Sequence, residues 1–312
     1  MKFFLAPMQG LTGYTVRNAF HHHFDYIDKY YTPFIPAAKR MNSKIKRDID
    51  PVNNDGITLI PQAMSIVADE VIDLHRQLVP YGYDEINVNL GCPSGTVVSK
   101  KRGSGILAYP DMLDSFLDEL YTKADFPVSI KTRVGFNDDE LWPKLIEIYS
   151  KYPISELTVH PRVQKDFYKN TPRMDDFALA IQKINPDKTI LCYNGDITDT
   201  NSFNALTDCF PDIDEIMIGR GLFANPALIA ELKGISMDKA ELRERLKNWH
   251  DEILSGYLSI FSGEKDALFR MKEIWAYMHR LFSDSEKLWK KIKKCQTLND
   301  YKSIVRMAFD AF

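Results

Sequence analysis

The sequence predicts an α/β protein, a (β/α)8 TIM barrel followed by a smaller all-helical C-terminal domain. Eight short β-rich apolar runs alternate with longer segments of helical period, which is the pattern of parallel strands joined by crossover helices. Beyond about residue 237 the strand pattern stops, and apolar residues recur at the spacing of helical turns. We therefore expect a barrel domain over residues 1–235 and a helical domain over residues 236–312.

The predicted strands follow one another along the barrel domain. They cover residues 2–8, 26–31, 58–62, 85–89, 128–132, 156–160, 189–193 and 215–218. Eight strands that finish near Gly221 match a barrel better than an open doubly wound sheet. A chain of 312 residues, 45% of them hydrophobic, is long enough to bury the large core that such a barrel needs.

Composition excludes several classes of protein. A net charge of -3 gives no whole-molecule field that attracts nucleic acid, so any such contact needs local basic clusters. The first residues contain too short an apolar run for a signal peptide, and no stretch approaches the ~18 apolar residues of a membrane span. The four cysteines lie far apart without a Cys-x-x-Cys pair, so we expect free thiols, no zinc site and a cytoplasmic location.

One cysteine, Cys92, lies on a Gly-Cys-Pro turn directly after the fourth predicted strand. Gly91 allows a close approach of the backbone and Pro93 fixes its own φ, so the thiol is held in one direction. A thiol displayed in this way indicates a reactive group. The alternative from these residues alone is a half-buried cysteine of an ordinary loop.

Chemically distinctive residues follow most of the predicted strands at their carboxyl ends, where barrels of this type carry their active sites. They are Pro7-Met8-Gln9, Gln62, Asn89, Lys131, His160 with Arg162, Asn194-Gly195-Asp196 and Gly219-Arg220-Gly221. The last two groups follow strands seven and eight, a common place for a phosphate site, and Arg220 can bind phosphate oxygens through charge-assisted hydrogen bonds. Lys131 belongs to a strand of the barrel wall, where an unpaired ammonium is costly, so we expect an anionic partner.

Seven motifs occur in order along the chain. They are Leu5-Ala6-Pro7-Met8-Gln9-Gly10-Leu11-Thr12, Asn89-Leu90-Gly91-Cys92-Pro93-Ser94, Gly103-Ser104-Gly105, Lys131-Thr132-Arg133, His160-Pro161-Arg162, Asn194-Gly195-Asp196-Ile197 and Met217-Ile218-Gly219-Arg220-Gly221. Together they resemble the tRNA-dihydrouridine synthase family over about residues 2–230. Arg270-x-Lys272 followed by Tyr277 is similar to the helical-domain pattern of that family. One departure is Asn87, where the family usually has Asp; we expect a changed local hydrogen bond and unchanged chemistry.

The resemblance implies an FMN enzyme that reduces uridine in the D-loop of tRNA to 5,6-dihydrouridine, with NADPH or NADH as reductant. Lys131 would stabilise the charge of the reduced flavin ring, which Gln62 and Asn194 would also hydrogen-bond. Hydride would pass from flavin N5 to uracil C6, and Cys92 would donate the proton to C5, because a thiol with an ordinary pKa near ~8.5 is protonated at neutral pH. The expected cofactor-binding residues are Pro7, Met8, Gln9, Gln62, Lys131, His160, Asn194, Gly195, Asp196, Gly219 and Arg220.

The expected partner is tRNA, whose target base must be flipped out of its loop to reach the cleft. The expected substrate-binding residues are Asn89, Arg162, Lys100, Arg102, Arg270 and Lys272. Three basic clusters could supply the surrounding surface, or each could be an ordinary solvated face. They are Lys39-Arg40 with Lys44, Lys46 and Arg47; Lys100-Lys101-Arg102; and Lys287 with Lys290, Lys291, Lys293 and Lys294. The helical domain is accordingly expected to bind tRNA.

Two alternatives stay open at this point. A different FMN barrel, such as a dihydroorotate dehydrogenase or an ene-reductase, shares the flavin site but takes a small substrate and has little use for a basic helical tail. A non-catalytic RNA-binding homologue could keep the fold, although Cys92, Lys131 and His160 favour an enzyme. The run His21-His22-His23 continues a helix and points three ways, so it predicts no metal site. We expect a monomer.

Overall fold

The computed structural model describes residues 1–37 and 40–312, in which ten parallel strands form one sheet. Their bounds are β1 Lys2–Leu5, β2 Lys29–Tyr31, β3 Ile35–Pro36, β4 Leu59–Ile60, β5 Gln62–Met64, β6 Ile86–Leu90, β7 Val128–Gly135, β8 Glu156–Val163, β9 Ile190–Tyr193 and β10 Glu215–Ile218. The hydrogen-bonded order is β3-β5-β6-β7-β8-β9-β10-β1-β2-β4. The ten segments fill the eight strand positions of a (β/α)8 barrel, because the second and third positions are each interrupted once.

Pro61 explains the interruption in the third position. It separates β4 from β5 and has no backbone N–H to donate, so β2 pairs with β4 and β6 pairs with β5. The carbonyl of Pro61 still accepts the N–H of Asn87 at 2.9 Å, which carries the hydrogen bonding across the break. The barrel predicted from the sequence is therefore confirmed. The predicted second strand, 26–31, begins too early: the N–H of Tyr26 bonds the carbonyl of Phe24 in a tight turn, and the strand starts only at Lys29.

Fourteen α-helices lie within the described residues. Their bounds are α1 Tyr14–His23, α2 Ser43–Ile49, α3 Ala68–Leu78, α4 Gly95–Val98, α5 Pro110–Lys123, α6 Trp142–Ser150, α7 Met174–Lys183, α8 Thr200–Cys209, α9 Arg220–Ala224, α10 Leu228–Leu232, α11 Lys239–Ile260, α12 Glu264–Met278, α13 Ser285–Lys294 and α14 Leu298–Asp310. The side chain of Asp238 accepts the N–H of Glu241 at 2.8 Å and so fixes the start of α11. No helix in these ranges has the length and apolar character to cross a membrane.

The C-terminal helices α11 to α14 follow the last strand, as the sequence predicts, and α11 packs directly on α1 of the barrel. The ring of Phe20 lies 5.1 Å from that of Trp249, and both side chains are fully buried. A Cβ added to Gly256 would come within 2.2 Å of the Thr15 methyl group, so the bare backbone of α11 packs against the side chain of Thr15 on α1. The contact joins the C-terminal helices to the barrel in one continuous apolar core. The proposed domain boundary at residues 235–236 falls between α10 and α11.

Candidate active site

A cleft of about 470 Å³ opens at the carboxyl ends of the barrel strands. Its residues come from the strands β5 to β8, from the loops that follow the strands, and from α12. The lining consists of Ala6, Pro7, Met8, Gln9, Leu11, Phe34, Gln62, Asn89, Gly91, Cys92, Pro93, Lys131, Arg133, His160, Tyr168, Asn194, Gly195, Asp196, Gly219, Arg220, Glu273, Ala276 and Tyr277. Every residue expected to bind the cofactor is in this set, together with Cys92 and Asn89. These residues therefore lie around one cavity, because parallel strands bring their carboxyl ends to the same edge.

The turn that carries Cys92 is held from two sides. The side-chain oxygen of Asn89 accepts the N–H of Cys92 at 2.9 Å, and the hydroxyl of Ser104 donates to the carbonyl of Cys92 at 2.8 Å. Gly103 has a φ of +56°, and a Cβ there would lie 2.8 Å from that same carbonyl oxygen. Only glycine therefore lets the 103–105 segment close over the turn.

The thiol of Cys92 is half-buried and stays protonated near neutral pH. Its burial raises the pKa, and this outweighs a hydrogen bond from the backbone of Ser94 and the positive charges of Arg133 and Lys131. The thiol therefore suits proton donation better than nucleophilic attack, which needs the thiolate. The two nearby cations would stabilise the thiolate that remains after a proton has left.

Lys131 projects from β7 into the cleft, where its ammonium donates to Asn194 Oδ1 at 2.5 Å. The amide of Asn194 is itself fixed, because its NH2 donates to the carbonyl of Met217 at 2.7 Å. Burial of the ammonium, together with the positive charge of Arg133, lowers the pKa of Lys131 to about 7. A cation with only a neutral partner in such surroundings favours an anionic ligand.

Two arginines share the carboxylate of Asp196 at one end of the cleft. Arg162, which is 1% exposed, donates to both oxygens of Asp196, and Arg220 donates to one of them at 2.5 Å. His160 lies 3.1 Å from Arg162, and burial together with the surrounding cations holds the pKa of His160 well below its ordinary value. The imidazole is therefore neutral. Asp196 keeps the guanidinium of Arg220 at the cleft while cancelling part of its charge.

Arg133 and Tyr168 line the cleft but were not among the site residues expected from the sequence. The guanidinium of Arg133 donates to the carbonyls of Gly91, Val163 and Phe167 at 2.9, 3.0 and 3.0 Å. It thereby ties the loop of Cys92 to the loop of Tyr168. A signal for Arg133 existed, because it stands two residues after Lys131 and side chains alternate along a strand. Tyr168 lies in a loop after β8, and no local pattern marks it.

One wall of the cleft is the helix α12, which contributes Glu273, Ala276 and Tyr277. Arg270 donates to Glu273 at 2.7 Å, and a Cβ built on Gly10 would lie 2.6 Å from the guanidinium of Arg270. The C-terminal helices therefore complete the site and are not an appendage to it. Glu273 was missed because its place depends on how α12 packs, which sequence spacing alone does not give.

The other residues expected to bind substrate lie outside the cleft lining. Arg162 is bound to Asp196 beneath it, Arg102 pairs with Glu70 at 3.2 Å, and Lys272 donates to the carbonyl of Cys295 at 2.5 Å. Lys100 is exposed, as are Arg40, Lys44, Lys46, Arg47, Lys287, Lys290, Lys291, Lys293 and Lys294 of the basic clusters. Lys39 lies outside the described residues. Their contact with a substrate stays a prediction.

The three consecutive histidines at the end of α1 form hydrogen bonds with two different carboxylates. His21 meets Asp25 at 2.9 Å, while His22 and His23 each contact one oxygen of Glu252 on α11 at 2.8 Å. Over residues 1–37 and 40–312, no group of three or more His, Cys, Asp or Glu side chains is placed to hold a metal ion. The histidine run instead helps to join α1 to α11.

The fold and the cleft define a (β/α)8 barrel protein with a polar site at the strand carboxyl ends. Solved structures with this fold include morphinone reductase, with a TM-score of 0.52 and 10% identity over 77% of this chain and 88% of that chain. A variant of NCR from Zymomonas mobilis has a TM-score of 0.52 and 12% identity over 80% of this chain and 90% of that chain. Both likenesses show the fold.

The chain belongs to the dihydrouridine synthase (Dus) family, whose sequence model matches residues 4–311. A probable tRNA-dihydrouridine synthase of Staphylococcus aureus (strain Mu50) is 32% identical over 203 residues, 64% of this chain. This chain spans 58% of the length of that relative. The tRNA-dihydrouridine synthase B of Pasteurella multocida (strain Pm70) is 26% identical over 243 residues, which is 75% of this chain and 69% of the relative.

Proposed function

We propose that this chain is an FMN-dependent tRNA-dihydrouridine synthase that reduces uridine in the D-loop of tRNA, with NADPH or NADH as reductant. Family membership and the names of two relatives support the substrate. The observation that carries the proposal is that one cleft contains both a protonated thiol, Cys92, and a buried lysine, Lys131, whose hydrogen-bond partner carries no negative charge. The thiol suits proton donation to the uracil ring, and the lysine suits a cofactor that becomes anionic.

The residues of the cleft fit FMN. The ammonium of Lys131 has only the neutral oxygen of Asn194 beside it, so an anionic ring edge would supply the missing charge. Gln62 and Asn194 each hold an amide at the cleft, suited to ring nitrogens and oxygens. Arg220 would bind the phosphate. A Cβ on Gly195 would come within 2.0 Å of the Tyr193 hydroxyl, so the backbone there stays bare.

Further residues complete the proposed cofactor site. Pro7, Met8 and Gln9 form the wall after β1, and a Cβ on Gly219 would lie only 3.4 Å from the sulfur of Met8. The neutral imidazole of His160 can donate or accept a hydrogen bond to the cofactor without adding a charge to the site. Asp196 acts on the phosphate through Arg220, because its carboxylate would repel the phosphate directly.

FMN, when bound, supplies the hydride that arrives at uracil C6. Cys92 then gives the proton of its Sγ to C5, which completes the saturation of the C5–C6 bond. The thiolate left on Cys92 is stabilised by Arg133 and Lys131 and regains a proton from solvent. Asn89 would contact the base, since it lines the cleft beside Cys92.

The target base would reach this site only when flipped out of the RNA. We assign residues 1–235 to catalysis and residues 236–312 to tRNA binding, with Lys100, Arg102, Arg270 and Lys272 near the RNA backbone. Arg162 would act on the substrate through Asp196 and His160, because its donors are already engaged. Contacts from such lysines and arginines to the RNA phosphates position an RNA without reading its bases.

A second candidate function is flavin-dependent reduction of a small molecule. The likeness of the barrel to morphinone reductase favours it. The test is to load the purified chain with FMN and supply NADPH or NADH with unmodified tRNA, and then to measure dihydrouridine by mass spectrometry of the digested RNA. We expect dihydrouridine in the D-loop. Reduction of a small enone without any dihydrouridine would favour the second candidate and overturn the first.

A further inference from the structure

A directional chain of side-chain amides runs beneath the cleft towards Cys92. Asn87 donates to the hydroxyl oxygen of Ser129 at 3.0 Å, and Gln62 donates to Asn87 Oδ1 at 2.8 Å. Asn89 then donates to Gln62 Oε1 at 2.7 Å. We name the three amides of Asn87, Gln62 and Asn89 the amide relay. Each member presents its oxygen to the next residue on one side and its NH2 to the next residue on the other.

The direction of the amide relay is dictated at its Cys92 end. Backbone N–H groups only donate, so Asn89 has to present its oxygen to Gly91 and Cys92, at 3.1 and 2.9 Å, and its NH2 to Gln62. Gln62 must then present its oxygen to Asn89 and its NH2 to Asn87. An amide turned the other way would leave two donors, or two acceptors, facing each other.

Burial makes such a mismatch costly. Asn87 and Gln62 are 0% exposed and Asn89 is 8% exposed, so water does not replace a lost partner. Asn87 does not line the cleft, and nothing in its position lets it touch a substrate. Its contribution to the site is therefore made through its neighbours.

We propose that Asn87 is a positioning residue for Cys92, which acts by fixing the direction of the Gln62 and Asn89 amides that hold the Gly91-Cys92 turn. The effect on the thiol follows from these contacts alone. Its consequence for proton transfer to uracil rests on the proposed function. The two can therefore be tested separately.

A polarity cycle tests the amide relay. In Gln62→Glu, Asn87 can rotate and donate its NH2 to the new carboxylate, so the hydrogen bonds are kept. In Asn87→Asp, the carboxylate still accepts from Gln62 and from the hydroxyl of Ser129. In the double variant two buried carboxylates face each other and share one proton; once this proton is lost at higher pH the carboxylates repel each other, and the amide relay is broken although each single change was tolerated.

The readout is alkylation of each cysteine by iodoacetamide in FMN-free protein, followed by peptide mass spectrometry. The other cysteines are internal controls, because Cys209 is exposed and Cys192 is buried. Both single variants should alkylate Cys92 at about the parent rate. The ratio of the Cys92 alkylation rate in the double variant to that in the parent should rise to at least about fivefold between about pH 7 and pH 10, as the shared proton is lost, since release of the turn exposes the thiol and lets its pKa fall. Cys209 should be unchanged and Cys192 protected.

Equal alkylation rates of Cys92 in the parent and the double variant up to about pH 10 would overturn the proposal. If Cys192 also becomes reactive in the double variant, the fold has opened, and Asn87→Ser takes its place: it removes the acceptor of Gln62 without burying a charge. Asn87→Ser should accelerate alkylation of Cys92 alone, and an unchanged rate there would also overturn the proposal. A parent protein that makes no dihydrouridine would refute the proposed function and leave this alkylation result standing.

Discussion

The ammonium of Lys131 lies 2.5 Å from the amide oxygen of Asn194, a neutral partner that cannot balance its charge. Burial and the nearby Arg133 lower the pKa of Lys131 to about 7, so near neutral pH and without an anionic ligand Lys131 is a mixture of amine and ammonium. An anionic ligand reverses this shift, because it favours the charged form. Cofactor binding and proton uptake are therefore coupled at this residue.

This coupling predicts a pH dependence of the affinity for reduced FMN, whose ring is anionic, whereas the oxidised ring is neutral. Below pH 7 the amine is protonated with or without ligand, so Lys131 adds no pH dependence; above pH 7 the site must take up a proton, so affinity should fall by up to about tenfold per pH unit. Anaerobic titration with reduced FMN, followed by flavin absorbance at pH values on both sides of 7, measures the slope. Lys131→Met is the control and should bind weakly with no such slope. A slope that persists in Lys131→Met would assign the proton to another group.

Replacement of Cys92 should separate the two half-reactions. Cys92→Ala should accept hydride from NADPH normally, because the thiol takes no part in that step. Oxidation of the reduced flavin by tRNA should slow by about 10²- to 10⁴-fold, the usual contribution of a positioned acid. Stopped-flow absorbance of the flavin follows both steps. Slow reduction by NADPH with normal transfer to tRNA would rule Cys92 out as the proton donor.

Arg220→Ala should weaken FMN binding by about 10- to 100-fold, because a charge-assisted contact to the phosphate is lost. Equilibrium dialysis measures the dissociation constant. Arg76→Ala is the matched control, since Arg76 is exposed and pairs only with Asp73 on the surface. The same FMN affinity in both variants would place the phosphate elsewhere in the cleft.

The lysines of α13 should contribute to tRNA binding. Lys290, Lys291, Lys293 and Lys294 are all exposed in a chain whose net charge is -3, so replacing them with Ala should weaken binding and flatten its salt dependence. FMN content and NADPH oxidation should not change.

A matched variant distinguishes a specific surface from total charge. The control replaces four ion-paired lysines on the outer barrel helices, Lys123, Lys144, Lys151 and Lys183, with Ala. If both quadruple variants lose tRNA affinity equally, the effect is one of net charge. If neither loses affinity, the docking surface lies at residues 39–47 or 100–102.

The contact of α1 with α11 gives a stability prediction. Gly256→Ala should lower the free energy of unfolding by about 1 to 3 kcal/mol, because the added methyl would overlap Thr15. Gly95→Ala is the control, since Gly95 is also helical and no atom lies within 4 Å of its added Cβ. Thermal and urea unfolding compare the two. Equal stability of the two variants would mean that α11 shifts to accommodate the methyl group.

The sequence predicted the barrel and the floor of its cleft because both depend on local patterns. Lys131 lies within β7, and Asn194 and Arg220 follow β9 and β10; parallel strands bring these positions to the same side of the barrel whatever the details of packing. Arg133 follows from the alternation of side chains along β7. These residues needed no knowledge of how distant segments pack.

The parts that were missed depend on distant packing. Glu273 reaches the cleft only because α11 packs on α1 through Phe20 and Trp249, which carries α12 to the barrel mouth. The bond between Gln62 and Asn87 depends on the register of two strands, which a single sequence does not give. For the same reason the sequence predicted only a changed local hydrogen bond at Asn87. In the structure, hydrogen bonds connect Asn87 through Gln62 and Asn89 to the backbone of Cys92.

A single-turnover reaction tests the central claim most directly. The chain is loaded with FMN, reduced with one equivalent of NADPH without oxygen, and mixed with excess unmodified tRNA, and both flavin oxidation and dihydrouridine are measured. We expect one dihydrouridine per flavin oxidised, at D-loop uridine, with both signals slowed together in Cys92→Ala. Flavin that stays reduced in the presence of tRNA, or that is oxidised without forming dihydrouridine, would contradict it.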